Sequence, residues 1–275
     1  MKNLKLFVLA LLVTSMFVGC GDDDDTTKTV CKILSEFAQR DGDSKYSEYI
    51  YDDVSGLLVK INFSETAISQ VYNYDSLIYN SSDQLIRIDR YSPETVDGVT
   101  NYTYVSGKIT QIVESGTYWN DDTQQEIPFS STADFTYNGS DIATITISGD
   151  FDNMGFKDFV YSDGNLATVE IDFFGNDSIW AGVQAISYDT KNSLSNYLVP
   201  EWDDVLFSSS NNNMMILVTV DSVRMGDNLI DIGDTLFNNT YTYNEFDKVL
   251  TVTSHPSAME EVASISTYVW DCYED

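Results

Sequence analysis

Along most of its length the chain alternates an apolar or aromatic residue with a polar one, breaks into a short run of turn-formers, and resumes with β-branched residues. One unit recurs. An aromatic or apolar residue, any residue and a Tyr precede a turn rich in Asn, Asp, Ser and Gly; then come Leu, Ile or Val, two residues, and another β-branched residue. The copies are Tyr49-Ile50-Tyr51 with Leu57 to Ile61, Leu77-Ile78-Tyr79 with Leu85 to Ile88, Tyr102-Thr103-Tyr104 with Ile109 to Ile112, and Phe135-Thr136-Tyr137 with Ile142 to Ile145. Three more follow: Phe159-Val160-Tyr161 with Leu166 to Val169, Ile186-Ser187-Tyr188 with Leu194 to Tyr197, and Tyr241-Thr242-Tyr243 with Val249 to Val252. The second tyrosines are spaced 28, 25, 33, 24, 27 and 55 residues apart, and the wide last gap has room for a degenerate copy around Met214 to Ile232.

Each unit predicts a β-hairpin. Period-two alternation puts both aromatics of Phe135-Thr136-Tyr137 on one sheet face and the threonine on the other. Turns such as Asn138-Gly139-Ser140-Asp141 and Ser162-Asp163-Gly164-Asn165 supply residues that tolerate positive φ. Only four prolines interrupt the chain. The expectation is an all-β fold: a long antiparallel meander of hairpin repeats, roughly sixteen to eighteen strands that must roll up or close to limit exposed edges. Whether the sheet closes into a barrel or stays an open roll is not decided by the pattern. The outward positions Thr103, Thr136, Ser187 and Thr242 are too polar for the lipid-facing band of a transmembrane barrel, which points to a soluble sheet around a tyrosine-rich core.

The first twenty residues break this pattern. Lys2 and Lys5 form a basic start, Leu6 to Val18 an apolar run too short to span a bilayer, and Phe17-Val18-Gly19-Cys20 closes it. The ending resembles a bacterial lipobox, with Phe17 where Leu is usual. Residues 1–19 then read as a lipoprotein signal peptide, with Cys20 as the lipidated residue and the anchor as the membrane contact. Gly21 and four carboxylates, Asp22, Asp23, Asp24 and Asp25, follow. Four adjacent like charges cannot pack, so residues 20–30 read as a solvated tether. The acidic run also resembles the surface-export signal of Bacteroidota-type lipoproteins. That resemblance implies the cell-surface face of the outer membrane, the alternative being the periplasmic face. Residues 31–275 read as a single repeat-built domain.

The repeats themselves look like the YD-type repeats of RHS-like proteins. More narrowly, they resemble an uncharacterised family of Bacteroidota lipoproteins, domains of unknown function with a porin-like, rolled antiparallel sheet. The likeness covers roughly Cys31 to Asp275, including Ser193 to Asn213, where a Leu-containing stretch runs into Asn211-Asn212-Asn213. It implies a fold and a location and lends no activity.

Charge narrows the partners. Forty-four acidic residues against fourteen basic give a net charge of −30, and removal of residues 1–19 takes away two further lysines. A field of that sign excludes nucleic acid and disfavours anionic headgroups; divalent cations, basic proteins and neutral sugars remain. With Cys20 acylated, Cys31 and Cys272 are left near the two ends of the folded part, either bridged or as two buried thiols.

Catalytic constellations are thin. The single histidine, His255, precedes Pro256. No triad partner pattern, no set of His and Cys ligands for zinc and no phosphate-cradling Gly-rich loop accompanies it. Asp150-Phe151-Asp152-Asn153-Met154-Gly155 begins like a calcium loop, but Met154 occupies an oxygen position and no closing Glu follows. No cofactor is expected. Glu201, Asp203 and Asp204 flank Trp202, an arrangement able to seat a sugar ring beside an acid. The expectation is a non-catalytic binding or accessory lipoprotein with a glycan or outer-membrane protein as partner; the alternative is a glycan-active hydrolase working at Trp202.

Overall fold

The computed structural model describes residues 29–40, 42–67, 70–92, 95–120, 124–150, 154–173, 180–194, 212–219, 223–225, 228–230, 235–255 and 264–274. The chain enters through β1 (Thr29–Arg40), so the strand begins before the tether was expected to end. Five repeats then become hairpins: β2 (Asp43–Tyr51) with β3 (Leu58–Ser64), β4 (Asn73–Tyr79) with β5 (Leu85–Ser92), β6 (Thr95–Val105) with β7 (Lys108–Asn120), β8 (Gln125–Asn138) with β9 (Asp141–Gly149), and β10 (Met154–Ser162) with β11 (Asn165–Phe173). After β12 (Trp180–Asn192) and β13 (Asn212–Thr219), a small separate hairpin of β14 (Val223–Met225) and β15 (Asn228–Ile230) intervenes before β16 (Thr235–Tyr243), β17 (Val249–His255) and β18 (Ser264–Glu274).

In five repeats the second Tyr sits opposite the expected first Leu, Ile or Val of the next strand: Tyr79 faces Leu85, Tyr104 faces Ile109, Tyr137 faces Ile142, Tyr161 faces Leu166 and Tyr243 faces Val249. In the first unit the partner of Tyr51 is Leu58, not Leu57. A β-bulge follows directly, between Thr136 and Tyr137 for example, so that Ala143 has no opposite number. The bulge explains the spacing of the motif. In a regular strand residues three apart point to opposite faces, and one extra residue restores them to the same face. Ile142 and Ile145 are both buried, as are Leu85 with Ile88 and Leu166 with Val169. Ile145 is 0% exposed.

The bulge also marks where strands of adjacent hairpins part. The ladder between β3 and β4 stops at Lys60–Ser76 and that between β7 and β8 at Gln111–Asp134. Beyond it the first carbonyl of each motif needs another donor. In four cases the tyrosine of the next repeat supplies it. Tyr79 Oη donates to Leu58 O at 2.7 Å, Tyr104 Oη to Leu85 O at 2.9 Å and Tyr137 Oη to Ile109 O at 2.7 Å, and Tyr188 Oη donates to Leu166 O. A hydrophobic ring thus fills the core while its hydroxyl stitches one repeat to the next.

Two units differ from their expected form. The second strand of the sixth is not Leu194 to Tyr197. Leu194 lies outside the strands and Tyr197 outside the described residues; Tyr188 instead faces Met214 of β13, and residues 193–211 form the connection. The wide gap before Tyr241 therefore holds the rest of this unit and the β14–β15 hairpin. The other difference is an eighth unit that sequence periodicity missed, Tyr268-Val269-Trp270. Trp270 faces Ile33 of β1, the bulge falls between Ile33 and Ser35, and Trp270 Nε1 donates to Val249 O at 2.7 Å. The N-terminal strand completes the last repeat. Where the other seven hairpins have a covalent turn or loop, this one has the Cys31–Cys272 disulfide, two residues beyond the Trp270–Ile33 pair on each strand.

Since β1 pairs with β18 on one side and β2 on the other, the sheet closes, and sixteen strands each have two neighbours. The turns within hairpins share one rim, the hairpin rim, and the connections between hairpins share the far rim. Buried apolar residues line the inside of the barrel. On the wall outside, the residue between the two aromatics is exposed at Thr103, Thr136 and Thr242, and also at Ile50, Ile78, Val160 and Val269. The apolar ones stand among charged neighbours: Lys60 opposite Ile50, Arg87 opposite Ile78, and exposed Glu48 and Asp134 one step on. This inward-apolar, outward-charged arrangement is the reverse of a transmembrane barrel.

Replacing Ile145 with Ala should cost about 2–5 kcal/mol in urea unfolding, the range for a buried aliphatic truncation. Tyr137→Phe, which only removes the donor to Ile109 O, should cost about 1 kcal/mol. Paired serines at Cys31 and Cys272 should lower stability by roughly 2–5 kcal/mol in the same assay; no change on reduction would show that the seam holds without the bond.

Candidate functional site

Because side chains alternate, the inward rows can be followed toward the far rim. On β9 the row stays apolar, with Ile145 followed by Ile147. On β4 to β7 it turns polar: Leu77 gives way to Asp75, Ile88 to Arg90, Tyr102 to Thr100 and Ile112 to Glu114. These strands are neighbours, with Asp75 opposite Arg90 and Thr100 opposite Glu114. Arg90 Nη1 donates to both Thr100 Oγ1 and Glu114 Oε1 at 2.7 Å. Thr100 is buried, and the ion pair is part-buried, with side-chain exposures of 26% and 35%. Taking such a pair out of water costs desolvation, and Arg90 offsets it by filling a position where its counterpart on β9 is a core isoleucine.

Beside this pair the strands lie unusually close. Gly98 faces Gly116, and a Cβ on Gly116 would come within 2.4 Å of Asp97 O. The β5–β6 ladder has a bulge between Arg90 and Tyr91, leaving Asp97 as the unpaired residue. Asp97 Oδ1 is buried and has no hydrogen-bond partner among the described residues. An oxygen in that state is rare in native proteins and calls for a donor.

Arg90 and Asp97 belong to a cleft of about 400 Å³ at the far rim. Phe63, Tyr72 and Tyr91 form its aromatic lining; Lys45, Asn73 and Asp75 add polar groups. Lys45 Nζ lies 4.3 Å from the centroid of the Phe63 ring. Tyr91 is fixed by stacking on Tyr74 at 4.5 Å, and Lys60 Nζ lies 4.0 Å from the Tyr74 centroid. Tyr72 is 41% exposed and stands at the mouth.

Two further polar clusters interrupt the interior. At the seam, Glu36 occupies the place in β1 that Ile145 has in β9, and Tyr49 Oη and Tyr268 Oη donate to it at 3.3 and 3.1 Å. Both tyrosine pKa values are raised, first by burial and then by the Glu36 charge. At the sixth unit, Asp189 accepts from Lys191 N at 2.9 Å, Asn213 N at 3.2 Å, Asn213 Nδ2 at 2.9 Å and Tyr243 Oη. Asn213 Oδ1 accepts from Leu194 N at 2.7 Å, and Asn165 and Asn212 exchange side-chain and backbone hydrogen bonds at 3.0 Å. The asparagine cluster noted in the sequence thus clamps the two strands that the long connection separates.

Of the residues singled out from sequence, Cys20, Asp22, Asp23, Asp24, Asp25, Glu201, Trp202, Asp203 and Asp204 lie outside the described residues. Met154 and Gly155 belong to β10, the Asp150 carboxylate accepts from Ser130 N at 2.8 Å, and Phe151, Asp152 and Asn153 lie outside the described residues. His255 ends β17 and is exposed. Sequence reasoning did not find the cleft. Its signal was present in the charged residues Arg90 and Glu114, which fall two places after the last β-branched residue of their repeats, on the inward face.

No family model matches the chain, and no curated protein matches it. Among solved structures it is similar to a porin-like protein from Bacteroides vulgatus, with 11% identity, a TM-score of 0.57, and coverage of 88% of this chain and 99% of that one. It also aligns with a porin-like protein from Bacteroides uniformis at 15% identity and TM-score 0.48, covering 87% of this chain and 98% of that one. An alignment with the TcdB2-TccC3 complex has 10% identity and TM-score 0.32 and covers 77% of this chain and 13% of that one. The first of these shows a shared fold.

Burial pushes the hydroxyls of Tyr51 and Tyr79 up to about 12 from the ordinary 10.0, and Tyr49 and Tyr268 higher still. A raised folded-state pKa means these groups contribute fully below pH 10, and the contribution is lost as pH rises from about 10 through 12. Tyrosinate absorbance and circular dichroism should therefore change together in that window. Early ionisation without unfolding would show that the stitching tyrosines are not buried.

Proposed function

We propose that the chain is a lipid-anchored, non-catalytic binding or accessory module of the outer membrane, acylated at Cys20 and carried to the cell-surface face by Asp22 to Asp25. The observation that supports it most is the placement of the ends. The chain enters the barrel at Thr29 and leaves it at Glu274 on the hairpin rim, and the cleft opens at the opposite rim. A tether from Cys20 to Thr29 spans at most about 30 Å when extended. An anchor there holds the hairpin rim toward the lipid and turns the cleft outward.

The porin-like likeness from Bacteroides vulgatus fits this reading, extending over nearly the whole of both chains. Membership of the uncharacterised Bacteroidota lipoprotein family, suggested by the tyrosine repeats, is part of the same proposal. The charged outer wall favours attachment by the lipid over insertion of the barrel.

Metabolic labelling with a fatty acid should mark the wild-type chain and not Cys20→Ala. Protease added to intact cells should degrade the wild-type protein and largely spare a variant with Asp22 to Asp25 replaced by Ala. Continued labelling of the Cys20 variant would refute the anchor, and equal proteolysis of both chains would refute the role of the acidic run.

A further inference from the structure

We infer that the far-rim cleft is a binding site for an uncharged, polyhydroxylated ligand, a segment of neutral oligosaccharide. The inference rests on reading the chain as a binding module and adds the ligand class and the residues that select it.

Four observations converge. The first is the local departure from the repeat: Arg90 and Glu114 occupy inward positions whose counterpart on β9 is the core residue Ile147, and Asp75 one whose counterpart on β8 is the buried Ala133. No turn, seam or long connection requires charge there. Rule-breaking residues without a structural demand are the mark of a built site. The second is charge balance. The lining carries two cations, Lys45 and Arg90, and two carboxylates, Asp75 and Asp97, in a chain of net charge −30. A charged ligand of either sign would meet a like charge in the cleft, and an anion would first have to approach against the field of the whole protein.

The third observation is the buried Asp97 Oδ1, an acceptor with no hydrogen-bond partner among the described residues. A ligand hydroxyl supplies the missing proton donor without bringing a charge. The missing side chain at Gly116 leaves room for the Asp97 carbonyl, which lies 2.4 Å from where a Cβ would stand. The fourth is the aromatic lining. Phe63, Tyr72 and Tyr91 offer apolar surface and hydroxyl tips to the alternating C–H and O–H faces of a sugar ring. The volume, about 400 Å³, lies within the range of small-ligand sites, roughly 300–1,000 Å³.

The test uses the whole chain expressed in a bacterial envelope and purified in non-ionic detergent, probed on an array of neutral oligosaccharides alongside sulfated glycans and basic peptides. The expected result is binding to one or more neutral glycans, weakened roughly tenfold or more by Asp97→Asn, the loss of a charge-assisted hydrogen bond. Tyr72→Ala should weaken it similarly with an unchanged melting temperature. In the wild-type protein, hydrogen exchange should slow on glycan addition in β2 to β6 and not elsewhere, a readout that needs no variant. A flat array, selective capture of the charged probes, or glycan binding that neither substitution weakens and that leaves exchange in β2 to β6 unchanged would overturn the inference. Purified protein carries no information on which membrane face displays it, so failure here is distinct from failure of the anchoring reading, which the cell experiments decide.

Discussion

The fold depends on one geometric constraint: each repeat must bury two residues three apart in a single strand. Only an extra residue in the ladder allows this, and every hairpin of the barrel carries a bulge at the same register position. The bulge has a second effect, since strands of adjacent hairpins part beside it and leave a carbonyl beyond their ladder. Tyr79, Tyr104, Tyr137 and Tyr188 answer both needs, with a ring for the core and a hydroxyl for the carbonyl. The repeat is thus a set of mutually dependent parts. A phenylalanine could fill the core, but it could not join one hairpin to the next.

The same constraint governs closure. A meander of hairpins has two open edges, which invite pairing with other chains. Here the last hairpin is left half-made by β18 and finished by β1, so both edges are consumed in one contact. Trp270 takes the tyrosine's place with an indole N–H, and the disulfide takes the place of a turn. Glu36 then sits where an aliphatic residue stands in β9, bound by a tyrosine from each flanking strand. A carboxylate satisfied only by two particular partners specifies register more sharply than an isoleucine, which would pack against either strand in several offsets.

Much of the architecture was legible in the chain because hairpins are local. Phe135-Thr136-Tyr137 and the turn after it carry their own periodicity and turn chemistry, and need no distant partner to be read. What escaped was non-local. The eighth unit has its two strands separated by the length of the domain, and no period along the sequence joins Trp270 to Ile33. The second strand of the sixth unit was misassigned to Leu194 because a Leu-containing stretch follows Tyr188 at the usual distance, whereas Met214 makes the pair after a long connection. Trp202 lies outside the described residues, and the cleft at the far rim draws on residues spread from Lys45 to Asp97 that meet only when the sheet rolls. Arg90 and Glu114 were visible as charges, but their inward direction depends on a bulge that shifts the alternation by one.

Three polar groups intrude on an apolar interior, and their surroundings separate them. Glu36 lies at the seam and Asp189 beside the long connection, places where the chain lacks the tight turn that fixes other hairpins. Each is surrounded by donors from the strands it must align, so structure accounts for both. Arg90 and Asp97 lie between ordinary hairpins whose alignment is already secured by Tyr79, Tyr104 and their carbonyls. Arg90 joins β5 to Thr100 of β6 and Glu114 of β7, whereas the buried Asp97 Oδ1 carries a desolvation cost that no hydrogen bond among the described residues offsets. In the proposed reading that unpaired acceptor serves a ligand hydroxyl, and the exposed Tyr72 at the same cleft opens it to solvent.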